Sequence, residues 1–196
     1  LFITSITLFR LASTISSMRC LDVVEMPSPV HSILSDELTP MRIDGRFWEE
    51  NEYKGPPSPE RDAAWNALTN HGGGFFSISQ ETLQAANASE HSIELPDSIG
   101  GGYMASLEVT HQLHCVQLIR EWSYRDYYRN KSIIFYDSDE TLRIHLDHCI
   151  DNLRQKLMCD SDTGILTYVW IKNRSSPYAD FGVQKKCRNY SQVQEW

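Results

Sequence analysis

Two stretches decide how this chain folds: HQLHCVQLIR at residues 111–120 and HLDHCIDNLR at residues 145–154. Both follow one template, in which a second histidine stands three residues after the first and is followed at once by a cysteine. The two stretches also share aliphatic residues and a closing arginine, and they hold four of the seven histidines. Because residues three apart lie on one face of a helix, the template predicts two helices that each present a histidine pair.

The residues around both motifs have helical periodicity. We predict one long helix over residues 103–128, with a stripe formed by Leu107, His111, His114, Leu118 and Trp122. A second helix is predicted from residue 137 onward, where Asp137 and Glu140 resemble a capping box and Ser138 is an alternative cap. Its stripe is formed by Leu142, His145, Cys149, Leu153 and Leu157.

The remaining chain is predicted to be irregular, apart from one helix and one short strand. Six prolines between residues 20 and 59 break regular structure, and a helix then begins with Ser58 as its cap and Pro59 in first position. Trp65 and Leu68 form its buried face, and the glycines at 72–74 end it. Residues 165–170 have the composition of a strand, and the tail beyond them is expected to be irregular.

These elements predict a mainly α fold: a small single domain with the two motif helices packed together, long ordered loops and little β-structure. Residues 1–18 form an apolar segment, 19–46 a proline-rich linker and 47–196 the domain. Lys and Arg number 18 against 26 Asp and Glu, a formal net charge of −8. Because a phosphate-binding surface needs the opposite balance, nucleic acid is not an expected partner.

Four glycosylation motifs indicate the secretory pathway, at Asn87, Asn130, Asn173 and Asn189. The apolar segment 1–18 points the same way if it is a remnant of a signal or membrane anchor; the alternative is an amphipathic or disordered arm. The five cysteines are an odd number, which leaves at least one outside any intrachain disulfide.

Packing the two stripes together gathers four imidazoles, and bundle cores build metal sites in this way. His111, His114, His145 and His148 are therefore the predicted metal ligands. Imidazole suits copper, iron, zinc and nickel, whereas magnesium and calcium prefer oxygen. The alternative is a set of structural histidines without metal.

Other side chains near the motifs are further candidates. Cys115 and Cys149 are candidate ligands, and disulfides to Cys159 or Cys187 explain them equally well. Glu108 and Asp147 lie beside motif histidines, where each is either a ligand, an orienting group or a solvated helix charge. Tyr103 is a weaker candidate, since the chain has nine tyrosines.

The chain resembles the UstYa-like family of fungal proteins from about Phe47 to Trp196. The resemblance rests on KGPPSPERDAAW at 54–65, GGYMASLEVTHQLHC at 101–115, HLDHCIDNLRQKLMCDSD at 145–162, TYVW at 167–170 and CRNYSQVQEW at 187–196. It implies a membrane-anchored oxidase of the secretory pathway that cyclises or hydroxylates a peptide-derived precursor of fungal secondary metabolism. It also implies that His111, His114, Cys115, His145, His148 and Cys149 form the active site, with copper as the expected cofactor.

The chain departs from the family pattern in two places. Relatives usually begin with a cytosolic leader and a full anchor helix, of which this sequence shows at most a remnant. Relatives often carry a histidine where this chain has Lys185, which would alter activity if that histidine is a ligand or base. The paired motifs are compatible with a single-chain site and with a homo- or heterodimer. The rival hypothesis is a non-catalytic domain, stapled by zinc or disulfides, that assists another tailoring enzyme.

Overall fold

Helices dominate the computed structural model, which describes residues 25–35, 37–70 and 74–196. Its α-helices are α1 Pro59–Asn70, α2 Gln80–Ala85, α3 Glu108–Ser123, α4 Arg125–Tyr128, α5 Asp139–Asp160 and α6 Tyr190–Glu195. Short 3-10 turns occupy Pro29–Ser32, Asp97–Ile99 and Ile133–Tyr136. The strands are β1 Thr39–Arg42, β2 Phe76–Ile78, β3 Tyr103–Ala105, β4 Thr167–Val169, β5 Tyr178–Asp180 and β6 Gln184–Cys187.

The strands form only small two-stranded sheets, which pair β1 with β6, β2 with β3 and β4 with β5. The predicted mainly α class with little β-structure is therefore confirmed. The predicted strand near 165–170 is also confirmed as β4, which pairs antiparallel with β5 so that Tyr168 lies opposite Ala179. The expectation of an irregular tail is wrong, since β5, β6 and α6 lie there. Because these elements are short, they lack the periodic spacing of apolar residues that identifies longer helices and strands in a sequence.

The chain forms two compact units. One contains the described residues as far as Met41, with Ser77–Met104 and Lys186–Trp196. The other, here called the motif unit, contains the described residues of 42–76 and 105–185, and it carries both histidine motifs.

The first motif helix is shorter than predicted at both ends. Residues 103–105 form β3, because the Met104 N–H donates to the Ile93 carbonyl at 2.9 Å and the segment pairs with β2. The helix α3 then begins at Glu108 and ends at Ser123. Tyr124 adopts φ −117° and ψ 34°, outside the helical region, and separates α3 from α4.

The second motif helix, α5, is capped by Ser138 rather than by Asp137. The Ser138 hydroxyl accepts a hydrogen bond from the Thr141 N–H at 3.1 Å. The predicted stripe is correct for Leu142 and Cys149, but it omits Leu146, which is 2% exposed, and wrongly includes Leu157, which is 72% exposed.

The helix α1 begins as predicted, with the Ser58 hydroxyl accepting from the Arg61 N–H at 3.2 Å. Trp65 is buried and donates its indole N–H to the Tyr53 carbonyl at 3.0 Å, while Leu68 is half-buried. The helix ends at Asn70, and the predicted stop at Gly72 and Gly73 lies outside the described residues.

The core of the motif unit lies where α3 and α5 pack together. Four residues form its centre, namely Cys115, Leu118, Leu146 and Cys149, and each is at most 2% exposed. Partly buried hydrophobic side chains surround them, including Ile119, Trp122, Ile134 and Leu153. The apolar faces of α3 and α5 therefore fix how the two histidine motifs meet.

Within residues 25–35, 37–70 and 74–196, no helix combines the length and the apolar character that a membrane span requires. The apolar segment 1–18 lies outside the described residues.

Candidate metal centre

The motif histidines meet across the helix pair as two couples. His111 lies against His148 and His114 against His145, each with ring centroids 5.5 Å apart. In each couple, the first histidine of one motif meets the second histidine of the other motif. His111, His114 and His145 are half-buried, whereas His148 is exposed.

A disulfide joins the two motif cysteines. Cys115 and Cys149 are bonded to one another, with Cα atoms 4.9 Å apart, and both side chains are completely buried. This differs from the alternative of disulfides to Cys159 or Cys187, which are free thiols in the structure. It also contradicts the interpretation of Cys115 and Cys149 as thiolate ligands, because a sulfur in a disulfide carries no thiolate charge.

The surroundings of His114 favour its neutral form. Burial lowers the pKa of His114 below its usual value, and the nearby charges of His145 and His111 lower that pKa further. A metal binds the neutral imidazole, so the same environment that disfavours protonation keeps a nitrogen lone pair available.

Of the additional candidates, Glu108 alone lies beside a motif histidine with a polar contact. Its Oε1 is 3.6 Å from the His111 Nδ1, and the side chain is exposed. Asp147 instead forms an ion pair with Arg143, one helical turn away. Of the three roles considered for Asp147, this contact fits that of a solvated helix charge. Tyr103 belongs to β3 and lies outside the motif unit.

The two couples fit a metal bound by two imidazoles. Metal–nitrogen bonds of about 2.0–2.1 Å place the centroids of two ligating rings roughly 4.5–6.5 Å apart, and both couples lie in that range. Among the described residues no group of three or more His, Cys, Asp or Glu side chains is placed to hold one ion. The four imidazoles predicted as ligands are thus arranged as two pairs of nitrogen donors.

A cavity of about 430 Å³ adjoins His114. It lies between α3, α1 and the segment that follows α4, and its polar lining comprises Asp62, Asn66, His114, Gln117, Arg120, Glu121, Tyr128, Lys131 and Ser132. Sequence reasoning missed this cavity, because its walls come from segments up to about seventy residues apart. The one sequence feature that pointed to this cavity was Arg120, the last residue of the first motif.

The cavity wall contains a buried polar cluster centred on Arg120. The Arg120 Nη1 lies 3.6 Å from the Asp62 Oδ1 and also donates to the Tyr128 hydroxyl. Tyr128 in turn donates to Asp62, as does Tyr127 at 3.2 Å. Burial and the bond to Asp62 raise the pKa of Tyr128 well above its usual value, so the phenol stays protonated.

Lys185 and the glycosylation motifs complete the residues predicted from the sequence. Lys185 pairs with Asp162, just beyond the end of α5, and this cation lowers the pKa of that carboxyl. The four asparagines of the glycosylation motifs are exposed, which is the accessibility that modification requires; these are Asn87, Asn130, Asn173 and Asn189.

Comparison with known protein families identifies the family of this chain. The family model described as mycotoxin biosynthesis protein UstYa matches residues 1–196. The chain belongs to the UstYa family. The resemblance of its motifs to that family is thereby confirmed.

Curated fungal relatives of this UstYa-family chain are mostly named oxidases. It is 31% identical to the UstYa family oxidase phomYc of Diaporthe leptostromiformis over 175 residues, which cover 86% of this chain and 68% of phomYc. It is 27% identical to the UstYa family oxidase aprY of Aspergillus flavus over 184 residues, 86% of this chain and 54% of aprY. The transacylase cctO of Talaromyces islandicus is 33% identical over 162 residues, 76% of this chain and 52% of cctO. A further relative is named chlorinase cctP2. No solved structure matches the chain.

Proposed function

We propose that this UstYa-family protein is a copper-dependent oxidase that cyclises or hydroxylates a peptide-derived precursor in fungal secondary metabolism. The observation that carries the proposal is the pair of cross-helix couples, His111 with His148 and His114 with His145. The oxidase names of phomYc and aprY and the description of the family support the reaction class.

In this proposal His114 and His145 would hold the copper ion nearest the cavity, because His114 also borders that cavity. His111 and His148 offer a second pair of donors, with Glu108 beside His111. Copper, when bound, supplies one-electron redox chemistry and the means to use dioxygen; iron and zinc also bind imidazole.

The residues of the chain position this centre. The Cys115–Cys149 disulfide and the apolar packing of Leu118 and Leu146 hold α3 and α5 together, which fixes the separation of the imidazoles. The partial burial of His114 keeps it neutral and excludes part of the water around it. Two such pre-set donors need little reorganisation to bind an ion.

The cellular setting belongs to the same proposal. The exposed glycosylation motifs support residence in the secretory pathway, with attachment to the membrane through an N-terminal anchor in the whole protein. A homo- or heterodimer with a related oxidase is the proposed assembly.

Gene replacement in the native host tests the reaction class. Strains carrying His114→Ala should accumulate a precursor that has two more hydrogens or one fewer oxygen than the wild-type product, as measured by mass spectrometry of the secreted metabolites. His91→Ala, which removes an exposed histidine outside the motif unit, is the matched control and should leave the product unchanged. An unchanged product in the His114→Ala strain would contradict the proposal.

A second candidate is a non-catalytic domain that assists another enzyme, and the disulfide between the motif helices favours it because it staples them. In that case His114→Ala and His148→Ala should melt at lower temperature, since the histidines would serve the fold. As an oxidase, both variants stay folded and lose turnover. Thermal melts by circular dichroism beside the metabolite assay separate the two candidates.

A further inference from the structure

We propose that the cavity beside His114 is the substrate subsite and binds a backbone amide of a peptide, with Arg120 facing the carbonyl oxygen and Glu121 accepting the N–H. The inference rests on the proposed function for the identity of the substrate as peptide-derived. It adds where the substrate binds and which side chains select it.

Arg120 is a cation held rigidly in the cavity wall. Its side chain is 9% exposed, and its Nη1 is engaged by Asp62 and Tyr128. The ring centroids of Trp65, Tyr124 and Tyr128 lie 5.7, 5.8 and 5.5 Å from the guanidinium carbon. Its Nη2 is buried and has no hydrogen-bond partner. A fixed donor without an acceptor is a position that a ligand oxygen satisfies.

Glu121 supplies the complementary group on the next residue. It is 7% exposed, and its Oε1 accepts from the Gln117 side chain at 3.0 Å. Its Oε2 is buried and has no partner. A buried carboxylate oxygen without a donor is costly, so a ligand N–H that reaches it gains a charge-assisted hydrogen bond.

The charges of the cavity favour an uncharged ligand group that both donates and accepts a hydrogen bond, rather than an anion. Asp62 and Glu121 are acidic, and Arg120 and Lys131 are basic, so the formal charges of the lining balance. A peptide group offers one acceptor and one donor at a fixed spacing, which matches one unpartnered donor and one unpartnered acceptor. His114 lies in the same lining, which places a bound amide next to the proposed copper site.

Calorimetric titration of the metal-free protein tests the assignment. The probes are N-methylacetamide, which carries one amide N–H, and methyl acetate, in which an ester oxygen replaces that N–H. The wild type should bind the amide about tenfold more tightly, because only the amide donates to Glu121. Glu121→Met should reduce this preference to within about twofold, and Ser132→Phe, which fills the cavity, should abolish binding of both probes.

The variants are chosen to fold. Glu121→Met removes a buried charge without stranding one, and the Gln117 amide keeps its bond to Asn66 at 3.0 Å. Glu52→Met makes the same change at an exposed position and should bind both probes as the wild type does.

Absence of saturable amide binding, or a tenfold preference that survives in Glu121→Met, would overturn the assignment. Copper binding is measured on the same samples. A protein that binds copper without the amide disproves this subsite alone, and one that binds the amide without copper disproves the proposed function and leaves the subsite standing.

Discussion

His114 and His145 face each other across the two motif helices, with ring centroids 5.5 Å apart and planes inclined by 33°. They come from motifs separated in sequence by about one helix and a turn, and the packing of α3 against α5 brings them together. The completely buried disulfide between Cys115 and Cys149 lies within the same helix contact. The helix contact that forms the core therefore also positions the histidines. Substitutions in the core should change the separation of the imidazoles.

Removing the disulfide should destabilise the motif unit. The double variant Cys115→Ala/Cys149→Ala should lose about 2–4 kcal/mol of unfolding free energy, because the cross-link no longer restricts the unfolded chain. Urea denaturation followed by circular dichroism measures the change. Cys159→Ala, which removes an exposed free thiol from the same helix, should stay within about 0.5 kcal/mol of the wild type. Equal effects of the two changes would show that the disulfide does not stabilise the helix pair.

The apolar contact between α3 and α5 is tested by two leucines of α5. Leu146→Ala should cost about 2–5 kcal/mol of unfolding free energy, since the side chain is 2% exposed and its removal leaves a cavity. Leu157→Ala deletes the same atoms where the side chain is 72% exposed, so its cost should be below about 1 kcal/mol. The reverse order would show that the helix presents a different face to the core.

The Tyr128 cluster predicts a dependence of stability on alkaline pH. Because the pKa of Tyr128 is raised on folding, its contribution is complete below pH 10 and falls as pH rises further, when the unfolded phenol ionises and the folded one does not. The unfolding free energy of the wild type should therefore fall more steeply than that of Tyr128→Phe above about pH 10. Chemical denaturation between pH 8 and 11 measures both slopes, and parallel curves would contradict the raised pKa.

The sequence predicts well what local periodicity controls. The spacing of His111, His114 and Leu118 indicates the helix α3, and Ser58 and Pro59 mark the start of α1, since side chains within one turn determine these features. The same reasoning extended α3 into residues 103–105, which pair with β2 as a strand instead. Helical propensity is a weak prior, and a distant strand partner outweighs it.

Features that depend on distant contacts could not be predicted in this way. The template shows that Cys115 and Cys149 are equivalent, but their mutual disulfide depends on how α3 and α5 cross. The polar cluster joins Asp62 to Arg120 and Tyr128, which both lie more than fifty positions later in the chain, and no spacing in the sequence links Asp62 to them. The cavity beside His114 was missed for the same reason.

Pulsed electron paramagnetic resonance on metal-free protein loaded with one equivalent of copper(II) tests the central claim most directly. The wild type should show nitrogen couplings from imidazole, and His114→Ala/His145→Ala should lose the wild-type spectrum. His91→Ala, which removes an exposed imidazole elsewhere, should keep it. A wild type without imidazole couplings, or a His114→Ala/His145→Ala protein with an unchanged spectrum, would contradict the assignment of copper to this histidine pair.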